Sequence, residues 1–61
     1  MSPQDAVREA QRAYNAAVRA YGDAIARRLN GTTVPQSTIQ SLAVALAECN
    51  SALVRAQMAA R

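Results

Sequence analysis

Seven guanidinium groups, four carboxylates, two phenols and one thiol are the reactive side chains of this 61-residue chain, which contains no His and no Lys. General acid–base catalysis draws on His or on paired carboxylates, and phosphate chemistry draws on Gly-rich loops. Neither pattern is present. Asp5, Glu9, Asp23 and Glu48 fall mostly on arcs away from the apolar residues, and Asp23 has Arg19 and Arg27 four residues to either side. That spacing predicts exposed helix ion pairs worth about 0.3–0.5 kcal/mol each. No metal-ligand spacing occurs either. The expectation is a chain that is not an enzyme and that carries no cofactor and no metal.

Cys49 stands in an apolar seam, where a free thiol acts as a small buried hydrophobe. Its alternative roles, an intersubunit disulfide or a redox-sensitive thiol, call for exposure and a nearby cation. Tyr14 and Tyr21, seven residues apart beside Val7, Ala10 and Val18, read as core or subunit interface, with base stacking as the other use of such rings. Arg8, Arg12 and Arg19 fall within about 40° of one another on a helical wheel, with Asn15 between them. They are the candidate phosphate contacts. Glu9 and Asp23 share or flank that arc, and a solvated face is the commoner meaning of such a row. Asn50 and Gln57 interrupt the apolar side of the second half, where amides either set register or mark an edge.

The elements that must carry these groups are two helices. The first opens on Ser2-Pro3-Gln4-Asp5, with Ser2 suited to the N-cap, Pro3 to the first helical position and Asp5 to the positive end of the dipole. It is expected over residues 3–29. Its apolar positions Val7, Ala10, Tyr14, Val18, Tyr21, Ile25 and Leu29 are spaced 3, 4, 4, 3, 4, 4, an 11-residue period. A row of small residues, Ala6, Ala10, Ala13, Ala17, Ala20 and Ala24, runs beside them and would admit a close neighbour. Gly22 is the one poor helix former, marking either a tight contact or a bend.

Asn30-Gly31 is the stop signal, with Gly31 as the left-handed residue and Arg27 and Arg28 in the last turn. The turn is expected over 30–34 and the second helix over 35–60. Thr33-x-x-Gln36 and Ser37-x-x-Gln40 compete as its capping frame, and Pro35 in a first turn favours the earlier. So short a link makes the helices antiparallel.

The second helix has apolar residues on two sides. Its main seam is Ile39, Leu42, Leu46, Cys49, Leu53, Ala56 and Ala60, spaced 3, 4, 3, 4, 3, 4, a heptad pattern. A second seam, Val44, Ala47, Ser51, Val54 and Met58, lies roughly 150° around the wheel. One neighbouring helix covers only one of them. Laying Pro3-Gln4 over Pro35-Gln36 also places Val7, Ala10, Tyr14, Ala17, Tyr21 and Ala24 on Ile39, Leu42, Leu46, Cys49, Leu53 and Ala56. The two halves read as a weak internal repeat.

A single domain of this length struggles to bury enough surface. Fifteen of its apolar residues are Ala, and one Cys allows no internal bridge. Self-association is the direct remedy, so the expected fold class is all-α: an antiparallel two-helix hairpin assembling as a homodimeric four-helix bundle or larger oligomer. In length, hairpin form and a seam cysteine the layout resembles the plasmid-encoded Rop family, short dimeric hairpins that bind RNA. No specific motif is shared, and that family's RNA-contacting residues are not carried over.

The N-terminus lacks the apolar stretch of a signal peptide, and no apolar run approaches the length of a membrane span. A cytoplasmic location is the expectation. All-Arg usage beside abundant Ala fits a GC-rich bacterial or phage coding sequence. The net charge of +3 does not by itself imply nucleic acid. The expected function is a non-enzymatic protein-interaction module, a regulator, inhibitor or assembly component, whose partners are itself and another protein. The alternative is nucleic-acid binding through Arg8, Arg12 and Arg19.

Overall fold

The computed structural model describes residues 2–61, which form two helices, α1 (Pro3–Leu29) and α2 (Gln36–Ala59), packed against each other as an antiparallel hairpin. The rod measures 44 × 15 × 15 Å.

α1 starts where its chemistry directs. The Ser2 hydroxyl accepts from the Asp5 backbone N–H at 3.2 Å, and the Asp5 carboxylate accepts in return from the Ser2 N–H at 3.5 Å. This reciprocal pair satisfies two of the N–H groups that a helix start leaves free. At the other end the Gly31 N–H donates to the Arg28 carbonyl at 3.2 Å and the Thr32 N–H to that of Arg27 at 2.9 Å. These are the paired bonds of a Schellman ending, which requires a left-handed residue. Gly31 supplies it, at φ +89°.

α2 starts at Gln36, within a residue of the expected bound, but its cap differs from the expectation. Its N-cap is Pro35, and no side chain caps the helix, so neither the Thr33 nor the Ser37 frame is used. The link is short, and Pro35 at φ −59° and ψ 143° delivers the chain in the extended conformation that suits an N-cap. The free N–H groups of this first turn are left to solvent. Ser2→Ala is therefore expected to cost about 1 kcal/mol, and Ser37→Ala to be close to neutral. Chemical denaturation of the two variants side by side measures the difference.

The inner face follows the internal repeat. Val7, Ala10, Tyr14, Ala17, Tyr21 and Ala24 of α1, with Ile39, Leu42, Leu46, Cys49, Leu53 and Ala56 of α2, are all buried or half-buried. Beyond these, only Ala6, Ile25 and Val34 are less than exposed among the described residues. The 11-residue stripe read along α1 is not the packed one, because Val18 and Leu29 are left outside at 42% and 82% exposure. Ala17 lies on the contact line in place of Val18, and Ala24 is buried more deeply than Ile25 beside it. α2 presents a heptad seam, and two helices in continuous contact must share one period. The stripe of α1 consequently drifts off the contact line, and small residues from its Ala row complete it.

Among the described residues only Ala24, Ile39 and Leu53 are buried, and none of them completely. Gly22 makes no tight contact, since a Cβ placed there would meet nothing within 4 Å.

Candidate interaction surface

Among the described residues five large apolar side chains remain exposed: Val18, Leu29, Val44, Val54 and Met58. Their placement follows from helical geometry. At about 100° per residue, Val18 and Leu29 lie roughly 90° around α1 from its inner seam. On α2 the second seam lies about 130–180° around from the inner one. The sense of rotation is the same on both helices. In an antiparallel pair this brings Val18, Leu29 and Val54 toward one side of the rod, the side on which Tyr14 and Tyr21 border a groove, and leaves Val44 and Met58 on the outer flank of α2.

That groove encloses about 400 Å³ and is lined by Tyr14 and Tyr21 of α1 and by Ala43, Leu46, Ala47 and Asn50 of α2. Two half-buried rings form one wall, and the small side chains of Ala43 and Ala47 leave the other low. A second hollow runs round the flank of α2, lined by Val44, Ala47, Glu48, Ser51 and Arg55. Ala47 belongs to both. The unpartnered surface therefore runs from the side of α1, across the groove, to the outer flank of α2. A third hollow, at the open end of the hairpin, is lined by Gln4, Val7, Arg8, Gln57, Ala60 and Arg61.

The candidate residues fall into two groups. Tyr14, Tyr21, Ile39, Leu42, Leu46, Cys49 and Leu53 are wholly or partly used within the hairpin, with Ile39 and Leu53 buried and the rest half-buried. Val44, Ala47, Ser51, Val54 and Met58 are all exposed, as are Asn50 and Gln57. Asn50 lines the Tyr groove and Gln57 the open-end hollow, so both amides stand at the margin of the inner seam. Cys49 is a free, half-buried thiol.

The Arg arc is exposed throughout. Arg8 reaches Asp5 at 3.9 Å, a long and solvated pair that adds little stability. The pairs expected of Asp23 with Arg19 and Arg27 do not form, because Arg8–Asp5 is the one ion pair among the described residues. Extended side chains in water lose more freedom by pairing than such weak attraction restores. Arg28 instead donates to the Gln36 side-chain oxygen at 3.2 Å, joining the end of α1 to the start of α2.

Sequence reasoning placed Val18 in the core stripe and so missed it as part of the exposed surface. It also missed Ala43, whose small size shapes the groove. The spacing carries a sign of conflict, since an 11-residue stripe and the heptad of α2 cannot stay in register over four turns, but it does not say which of the two gives way.

No helix among the described residues is long and apolar enough to cross a membrane. The chain matches no family model, no curated protein and no solved structure.

Proposed function

We propose that the chain is a non-enzymatic protein-interaction module, acting as a homo-oligomer, and that its working surface is the unpartnered side running from Val18 across the Tyr groove to Val44, Val54 and Met58. One observation carries this reading: all five exposed bulky apolar residues lie toward that side or the flank it turns into, and none lies on the opposite, Ala-lined side. Scattered single apolar residues are normal on any protein surface, whereas a contiguous set marks a contact. Small Ala47 and flexible Met58 suit a surface that moulds to another helix.

The test is capture of binding partners from a cell extract by the tagged chain, with Val54→Asp and Met58→Asp as controls. Val54 is 45% and Met58 63% exposed, so either carboxylate stays hydrated and the hairpin keeps its helicity. Both variants are expected to lose capture. Capture that survives both changes would remove the reading. The second reading, nucleic-acid binding, draws on the exposure of Arg12 and Arg19, neither of which has an ion-pair partner among the described residues. Retention of RNA or duplex DNA at low salt, abolished by changing Arg8, Arg12 and Arg19 to Ala, would favour it instead.

A further inference from the structure

We infer that the occupant of this surface is a second copy of the chain, docked so that α2 of each copy lies in the Tyr14–Tyr21 groove of the other and the two-fold axis runs along the rods. The inference rests on the interaction-module reading and names its first partner.

Area comes first. A compact monomer of 6.5 kDa exposes about 3,800 Å². This chain exposes 4592 Å². The excess, about 800 Å², is one partner's share of a standard protein interface. The rod therefore carries surplus surface in the amount that one further partner of ordinary size would cover.

Complementarity then selects a second copy. Each copy carries two unlike unpartnered strips: bulky residues on α1, and a seam on α2 with Ala47 at its middle. Antiparallel register is visible at three heights: Arg28 with Gln36, Tyr14 and Tyr21 with Ala43 to Asn50, and Gln4 to Arg8 with Gln57 to Arg61. With the two-fold axis along the rods, residues of α2 meet the α1 of the second copy at these same heights. Ala47 then falls opposite Tyr14, Val18 and Tyr21, small against large. Val54 falls between Val7 and Tyr14, and Val44 beside Val18 and Tyr21. The strip from Val18 across the groove to Val54 contains no charged side chain, so docking strands no charge.

Electrostatics sets the orientation. An axis perpendicular to the rods would stack α1 on α1 in reverse, with Arg12 of each copy beside Arg19 of the other. With the axis along the rods the two α1 helices occupy opposite corners of the four-helix bundle, and the Arg arcs stay apart. For chains of net charge +3 the second arrangement avoids two like-charge contacts.

The test combines mass and distance. Sedimentation equilibrium of the unmodified chain should give twice 6.5 kDa. Ala47→Glu should halve that mass while helicity persists, because Ala47 is exposed in the hairpin and Glu is a good helix former. Ala52→Glu, the same change on the opposite side of α2, should leave it unchanged. Spin labels at position 32, in a Thr32→Cys chain that also carries Cys49→Ser, should lie less than about 30 Å apart, since packed helices stand about 10 Å from each other. A wild-type mass of one chain overturns the second copy. Equal losses from Ala47→Glu and Ala52→Glu overturn the choice of face, and labels near the rod length of 44 Å overturn the orientation. A monomer that still captures a protein through Val54 would leave the protein-interaction role standing without its homo-oligomeric form or this inference, and a dimer that captures nothing would leave this inference standing without that role.

Discussion

Leu53→Ala is expected to lower the unfolding free energy by about 2–4 kcal/mol, and Leu29→Ala by less than about 0.5 kcal/mol. The substitution is the same and the surroundings are opposite: Leu53 is 8% exposed and Leu29 is 82% exposed. Leu53 is one of three buried residues among those described, together with Ile39 and Ala24. Removing it withdraws a large side chain from a contact that has few others, and the small inner residues near its height, Ala10 and Ala56, cannot refill the space. A single core of this size supplies about 3–5 kcal/mol in all, so the Leu53→Ala chain should keep only a small part of its stability. Urea titration followed by helical circular dichroism measures both variants. Comparable losses would mean that Leu29 is covered in solution and that the inner seam is not the main source of stability.

Gly31→Ala is expected to cost about 1–2 kcal/mol, the penalty for placing a Cβ in the left-handed region. Gly31 sits at φ +89°, and no atom lies within 4 Å of where that Cβ would be. The cost is therefore conformational and not a matter of space. It also bears on two hydrogen bonds, since the Gly31 and Thr32 N–H groups close the end of α1 only while the left-handed turn holds. Gly31→Asn should cost less, because Asn enters that region more readily. Thermal melts of the two variants decide the matter: an Ala variant as stable as the Asn variant would show that the turn tolerates another geometry.

Local chemistry was legible wherever a residue acts on its own neighbours. Ser2, Pro3 and Asp5 state the start of α1, and Asn30-Gly31 states its end, because capping and left-handed turns involve groups only a few residues apart. The start of α2 was less legible. Thr33 and Ser37 both offer a hydroxyl, but Pro35 fixes its own backbone and takes the cap position without a side-chain bond. Two local signals were present there, and the path of the short connection decided against both.

The seams show the same division at longer range. The heptad of α2, from Ile39 to Ala56, is written in its own spacing, and the internal repeat points to Val7, Ala10, Tyr14, Ala17, Tyr21 and Ala24 as its counterpart. Read alone, α1 favours its bulkier stripe through Val18, Ile25 and Leu29. Size and period pulled in different directions, and a single helix holds no information about which prevails.

The amino-acid sequence by itself determined two helices, their polarity, the turn between them and the surplus of apolar surface on α2. Those properties depend on spacing and on groups near one another along the chain. Only the tertiary structure decided that α1 turns its Ala-rich heptad inward and leaves Val18 outside, because a shared period is a property of the pair. The same packing brings Tyr14 and Tyr21 opposite Ala43 and Ala47. A groove between two helices exists only after both have been rotated into contact.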